Sequence, residues 1–330
     1  LTAEKTLGER EIIQLLLEKF QPSPMPIPSG DDVSAVDLGG GRLAVLKVDM
    51  LVGKTDMPPG MTAYQAARKA VVMAVSDFAA KGVRPRAALV GLGLPRYGSR
   101  KVKSLAEGLR DAARQYGLSL IGGDTNEAGD LVITVAALGF CGKGRLLLRG
   151  GAKPGDLLAV TGPFGRTAAG LKILLENLKA PGNLREKLLR PVFTPEARLQ
   201  VGLRLRRLGA TAAIDSSDGL AWSLRELAVA SGVGFSVHRL PLAPEAKAFA
   251  DLHRLDPFDL TFYGGEEYEL VVTLDPRRFR RGWEKRWGLQ VIGRAVEQGG
   301  LVFEEKDVRR TIQPRGWEHF KARRRGRKLA

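Results

Sequence analysis

Along the chain the spacing of apolar residues changes repeatedly, and the changes predict alternating strands and helices. After "GDD" at Gly30–Asp32, "VSAVDL" and "RLAVLKVDML" read as two strands joined by a "GGG" turn. From about Met61 to Lys81 the period becomes helical, with Ala66, Ala70, Met73 and Asp77 on one face. Strand "AALVGLGL", a helix near 99–117, and strands "LSLIGG" and "DLVITVAALGFC" follow. Then "LLAVTG" reads as strand, "RTAAGLKILLENL" as helix, and two more helices fall near 183–190 and 195–208. "TAAI" reads as the end of a strand. "DGLAWSLRELAVAS" reads as a helix with Leu220, Leu224, Leu227 and Ala228 on one face. "GFSVHRL", "YELVVTL" and segments near 289–296 and 300–303 supply the last strands. The stretch between "GFSVHRL" and "YGGEE" receives no element.

Strands alternating with helices in both halves predict an α/β fold of two units, each with a mixed α+β sheet. A length of 330 residues also favours two domains. The Gly- and Pro-rich "RGGAKPGD" at 149–156 sets the boundary. The domains are therefore 1–150 and 151–320, followed by a basic tail, 321–330. Near the start, Ile12, Ile13, Leu16, Leu17 and Phe20 fit an amphipathic helix. Prolines at alternate positions from Pro22 to Pro28 make the next segment an extended connector.

Aspartates interrupt this apolar pattern at telling places. Asp31 and Asp32 lie in a Gly-led turn before a strand, Asp49 sits within "LAVLKVDMLV", and Asp124 follows "LSLIGG". Each alone is compatible with turn chemistry beside glycine. Asp77 lies on an apolar helix face, where an unpaired carboxylate would cost roughly several kcal/mol unless it binds a metal or a partner such as Lys81. In "AAIDSSDGLAWSL", Asp215, Ser217 and Asp218 stand where strand turns to helix. A helix cap would need only one of them. Together Asp32, Asp49, Asp77, Asp124, Asp215 and Asp218 suit Mg²⁺, which takes oxygen ligands and keeps water or phosphate in its shell. Glycine-rich turns at Gly122–Gly123, Gly162, Gly165 and Gly264–Gly265 add a phosphate-binding character. No G-x-x-x-x-G-K-[ST] loop and no H-E-x-x-H occurs, and three scattered histidines do not suggest a triad.

Composition narrows the setting. A single cysteine, Cys141, excludes an internal disulfide and a multi-cysteine metal site. No apolar run is long enough to span a membrane and no signal-like segment opens the chain, so a cytoplasmic protein is expected. The net charge of +16 raises nucleic acid as a partner. Aromatics are only 6%, however, and no aromatic-basic motif of an RNA-binding sheet occurs. An anionic small-molecule substrate suits the charge equally well.

"GDDVSAV", "DMLV", "AVSDFAAKGVRP", "LIGGDT", "RGGAKPGDLLAVTG", "IDSSDGL", "YGGEEYEL" and "GWEHF" follow one another from about residue 30 to 320. In that order they resemble the thiamine-monophosphate kinase family, within the aminoimidazole ribonucleotide synthetase superfamily. The resemblance implies ATP-dependent phosphorylation of thiamine monophosphate to thiamine diphosphate with Mg²⁺. It implies an N-terminal domain that binds ATP and metal and pairs its strands in a homodimer. It implies Mg²⁺ ligation by the six aspartates, ATP contacts at Gly123, Asp124, Arg149 and Ser217, and substrate contacts at Asp56, Glu266 and Trp317. Asp77, Asp218 and Arg149 would then carry the catalytic step. Where many relatives have metal-holding hydroxyl residues before the third-strand aspartate, this chain has Lys47 and Val48. Where many have His it has Asp56, and "GEE" replaces "GED".

The implied chemistry fits the residues. A phosphate oxygen of the acceptor is already anionic near neutral pH, so no general base and no phosphoenzyme are needed. The task is to neutralise and align two polyanions. The alternatives are another ATPase of the same superfamily, such as the purine-pathway synthetase, and a basic nucleic-acid-binding protein.

Overall fold

A computed structural model of the chain describes residues 7–20, 25–280, 282–297, 299–317 and 319–320. The basic tail at 321–330 and the connector prolines Pro22 and Pro24 lie outside the described residues. The first half comprises α1 (Glu9–Phe20), β1 (Ser34–Asp37), β2 (Arg42–Val52), the short α2 (Gly53–Asp56), α3 (Ala63–Ala80), β3 (Pro85–Leu94), α4 (Ser99–Tyr116), β4 (Ser119–Glu127) and β5 (Val132–Gly142). The second comprises β6 (Leu157–Val160), α5 (Arg166–Leu175), α6 (Gly182–Phe193), α7 (Leu199–Leu205), β7 (Ala210–Ser216), α8 (Leu220–Ser231), β8 (Gly234–Val237), α9 (Pro244–His253), α10 (Pro257–Phe262), β9 (Glu269–Leu274), α11 (Trp283–Trp287), β10 (Gln290–Val296), β11 (Leu301–Glu305) and β12 (Val308–Thr311).

The strands form two mixed sheets. The first has the order β1-β2-β5-β3-β4, antiparallel except for the β3–β4 pair. The second has the order β12-β11-β8-β10-β6-β9-β7, antiparallel except for β8–β11. Alternation along β2 turns Leu43, Val45 and Leu51 into the core and leaves Leu46, Val48 and Met50 exposed on the opposite face. Lys47 and Asp49 share the inward side with Val45 and Leu51, so two charges face a buried layer.

That layer contains α3. A capping box between Thr62 and Gln65 starts the helix. It is buried nearly all round, from Ala66 to Ala80, as a helix covered on every side must be. It packs on β2 and β5 of the first sheet, and on β7, β9 and α7 of the second half. One core cluster accordingly joins Val71, Val75 and Phe78 to Val135, Leu205, Leu270 and Val272.

At the strand-to-helix passage, β7 runs to Ser216 and so includes Asp215. Helix α8 starts only at Leu220, with Gly219 (φ 111°) at its N-cap and no side-chain cap. Neither Ser217 nor Asp218 serves as the cap that a purely structural reading would require. Two helices, α9 and α10, fill the stretch that had no assigned element. Pro244 and Pro257 stand in their first turns, and Asp256 caps the second.

Candidate active site

Three buried carboxylates converge from three elements. Asp32 comes from the turn before β1, Asp77 from the last turn of α3, and Asp215 from β7. One oxygen from each lies within 4.8 Å of the others. Asp49 flanks them from β2, and its Oδ2 is buried without a hydrogen-bond partner among the described residues. Burial and mutual repulsion act on the protons here. Burial, reinforced by Asp32, pushes Asp215 up to about 7, although Ser76 Oγ donates to its Oδ2 at 2.8 Å. Burial also lifts Asp77 well above the carboxylate range. Asp32 goes the other way: burial opposes its ionisation, but Lys81 and Arg149 outweigh that and keep it low.

The cations around the centre are fixed by long-range contacts. Lys47 Nζ lies 2.7 Å from Asp77 Oδ2 and 3.3 Å from Asp49 Oδ1. Lys81 is fully buried; its Nζ reaches Asp31 at 2.6 Å and Asp32 at 2.8 Å, and donates to the Ala213 carbonyl at 2.8 Å. The sequence offered Lys81 as a partner for Asp77, one turn away. The structure replaces that pairing: Lys81 serves the Asp31–Asp32 turn and Asp77 pairs with Lys47. Arg149 Nε donates to Asp32 Oδ1 at 2.7 Å, its Nη1 donates to the Gly30 carbonyl at 2.8 Å, and its backbone N–H donates to Asp31 Oδ2 at 2.9 Å. Counted as fully ionised, the five carboxylates Asp31, Asp32, Asp49, Asp77 and Asp215 outnumber the three cations by two, and the upward shifts of Asp77 and Asp215 express that excess in the absence of a further cation. An oxygen-only donor set with that residual charge fits a hard divalent cation.

Beside this centre opens a cavity of about 660 Å³, walled by Arg149, Asp215, Ser217, Asp218, Trp222 and Trp317. Helix α1 forms its outer wall. Arg10 lies 3.6 Å over the Trp222 ring and 3.3 Å from Glu226, and Glu9 accepts the His319 backbone N–H at 3.0 Å. Trp317 donates its backbone N–H to the Asp218 carbonyl at 3.1 Å, yet its side chain is 46% exposed. The segment is pinned while the ring stays open to a ligand.

A second group lies on the other side of Ser217. The Glu266 N–H donates to the Ser217 carbonyl at 2.6 Å, and the Tyr268 N–H to the Ser216 carbonyl at 3.0 Å. Lys69, buried on α3, donates to the Asp56 carbonyl at 2.7 Å and pairs with Glu266. Asp56 Oδ2 in turn accepts the Val52 N–H at 2.7 Å. Asp56 and Glu266 therefore meet through a lysine that the sequence reading did not single out. Its signal was a cation eight positions before Asp77 in an apolar helix.

Gly123 and Asp124 do not join these groups within one chain. They lie on β4, an exposed edge strand. Gly123 aligns with Val90, Val135 and then Asp49 across three strand spacings, roughly 14 Å in a flat sheet. A Cβ at Gly123 would overlap the Val90 carbonyl oxygen, so that position must remain glycine for β3 and β4 to approach.

Comparisons with known proteins fit this geometry. Residues 30–141 match the family model "AIR synthase related protein, N-terminal domain", and residues 153–306 match "AIR synthase related protein, C-terminal domain". A thiamine-monophosphate kinase of Nitrosopumilus maritimus is 35% identical over 320 residues, covering 96% of this chain and 99% of that one. One from Pyrococcus abyssi is 37% identical over 318 residues, covering 96% of each. The chain belongs to the thiamine-monophosphate kinase family. A solved structure of AaThiL complexed with AMPPCP and TMP superposes with a TM-score of 0.85 at 27% identity, covering 97% of this chain and 99% of that one. The α/β fold with two mixed sheets is thus shared with thiamine-monophosphate kinases. No helix among the described residues is long and apolar enough to cross a membrane.

Proposed function

We propose that this chain transfers the γ-phosphoryl group of ATP to thiamine monophosphate, giving thiamine diphosphate and ADP. The observation that carries the reading is the convergence of Asp32, Asp77 and Asp215, the last of which lines a cavity that also presents Arg149, Ser217 and Trp317. It is supported by relatives named for this kinase and by a similar structure that holds an ATP analogue and TMP.

Asp32, Asp49, Asp77 and Asp215 would hold Mg²⁺, with Asp218 and Asp124 as outer ligands. Mg²⁺ supplies neutralisation and alignment of the phosphates when bound. Arg149, braced by Asp32 and the Gly30 carbonyl, presents a positive charge to the nucleotide. Ser217 and the start of α8 offer hydroxyl and backbone donors to its phosphates. The attacking oxygen belongs to the acceptor's own phosphate, so the protein needs to orient it and exclude water rather than remove a proton. Asp56 and Glu266, locked by Lys69, would form one part of the acceptor side, across Ser217 from the cavity that presents Trp317. Its open ring face suits the thiazolium, a permanent cation. Transfer is direct and in line, with no phosphoenzyme.

The working unit is a homodimer. The outer face of the first sheet exposes Leu46, Val48, Met50, Leu89 and Phe140, and Ile121 lies on its open edge. Such a face and edge call for a partner, and a second copy of the same sheet supplies one. Asp124 and Gly123 lie on that edge, so their contribution to the site is made in the dimer. We place the reaction in the cytoplasm.

The test is turnover of purified protein with ATP and Mg²⁺. Thiamine diphosphate and ADP should form in equal amounts with thiamine monophosphate, and free thiamine should remain unphosphorylated. ATP hydrolysis indifferent to thiamine monophosphate would move the assignment to another ATPase of the superfamily.

A further inference from the structure

Lys47 occupies an unusual place. Its neighbours on the inward side of β2 are Val45 and Asp49, and its ammonium enters the carboxylate centre rather than leaving it. At 2.7 Å from Asp77 Oδ2 and 3.3 Å from Asp49 Oδ1, it bridges two carboxylates from different elements. An ion joining those carboxylates would need oxygen distances of about 2.0–2.1 Å for Mg²⁺. It would have to stand where the ammonium stands, because two cations cannot share that space. The charge balance agrees. Counted as fully ionised, the five inner carboxylates exceed the cations by two with Lys47 in place and by three without it.

We propose that Lys47 is a resident cation of the centre, holding the position between Asp49 and Asp77 and reducing by one the number of divalent ions the centre takes. The inference rests on the reading of these carboxylates as a metal centre. It does not depend on which acceptor the enzyme uses. The remaining ions are left to Asp32, Asp215 and the outer part of Asp77, next to the cavity.

The test is a count of bound Mn²⁺ by calorimetric titration and by electron paramagnetic resonance of the free ion. The full-length protein is used with a non-hydrolysable ATP analogue and no acceptor. Lys47→Thr removes the ammonium and opens an oxygen-lined gap. It should bind one more Mn²⁺ per chain than the parent protein, and its metal-free melting temperature should fall and recover on adding Mn²⁺. Lys47→Arg keeps the charge and should keep the parental count. Equal counts for the parent and Lys47→Thr would overturn the proposal. If the variants do not fold, the unmodified protein decides through its lysine ammonium resonances. A protected signal assigned to Lys47, and distinguished from those of the buried Lys69 and Lys81, that persists at saturating Mg²⁺ supports the resident cation, and loss of that signal on adding Mg²⁺ means that the metal displaces Lys47. No Mn²⁺ binding by the parent would remove the metal-centre reading itself. A kinase inactive on thiamine monophosphate that still showed the difference in counts would leave the Lys47 inference standing.

Discussion

Trp317 separates two roles for a terminal aromatic. A ring that merely docked a chain end would be buried, whereas this one is 46% exposed while its backbone is tied to Asp218. A cation–π contact to the thiazolium would contribute roughly 0.5–2 kcal/mol. Trp317→Ala should therefore raise KM for thiamine monophosphate by about 2- to 30-fold and leave KM for ATP nearly unchanged. Trp317→Phe should recover much of the loss. Equal changes in both constants, with a lower Tm, would return the residue to a packing role. At this scale the grouping of Asp32, Asp77 and Asp215 was legible, because an aspartate in an apolar run stands out, whereas Asp124 lies apart on the edge strand β4. Its basic half was not. Lys47–Asp77, Lys81–Asp32 and Lys69–Glu266 join residues far apart in the chain, and spacing along a helix pointed Asp77 to the wrong lysine.

Among the elements, β7 and α8 show why a polar cluster at a strand end need not be a cap. The strand carries Asp215 inward, Gly219 absorbs the turn with a positive φ, and Ser217 and Asp218 are left free for the cavity. Long periodic segments such as α3 and α4 were readable to within about two residues. α9 and α10 carry prolines at their starts, but at 10 and 6 residues they are too short for a helical period to stand out. Helix α3 carries the most consequential pair. Lys69 is 1% exposed, and its loss would strand Glu266 and free the Asp56 loop. Lys69→Met should destabilise the protein by about 3 kcal/mol. Adding Glu266→Gln should restore part of the Tm but not the activity. A Tm for Lys69→Met within a degree of the parent would show that the pair contributes nothing.

A titration is built into the start of α5. Glu267 accepts N–H bonds from Gly165 at 2.6 Å and Thr167 at 3.3 Å, yet burial pushes its carboxyl up to about 7. The folded pKa exceeds the unfolded one, near 4.5. The stability contributed by the protonated carboxyl is therefore complete below about pH 4.5 and is lost as pH rises through about 7, on the order of 3 kcal/mol in all. Glu267→Gln lacks this loss. The Tm of the variant minus that of the parent should climb between pH 5 and pH 8, and a flat difference would contradict the assignment.

For the molecule as a whole, the first sheet's apolar outer face is the surface that the proposed homodimer would bury. The parent should elute and scatter light at twice 35.7 kDa. Leu89→Glu, a charge in the middle of that face, should give monomers with strongly reduced turnover. A fully active monomer would detach Asp124 and the dimer from the mechanism. The sequence could suggest two α/β units through their alternating elements. It could not show that they share a core, because each element's period reveals which side is apolar and not what covers it.

That shared core has a consequence for how new substrates could be acquired. Helix α3 is the common beam of both sheets, and Lys69, Asp77 and Lys81 are set along it at fixed intervals. Exchanging either half for a foreign one should therefore disturb the packing of the other. On the proposed function, changes of acceptor would fall to the segments that hang from the beam: the Asp56 turn, the Gly264–Glu266 loop, α1 and the Trp317 strap. Those segments could drift by small substitutions while Lys69 and Asp77 stay where α3 puts them.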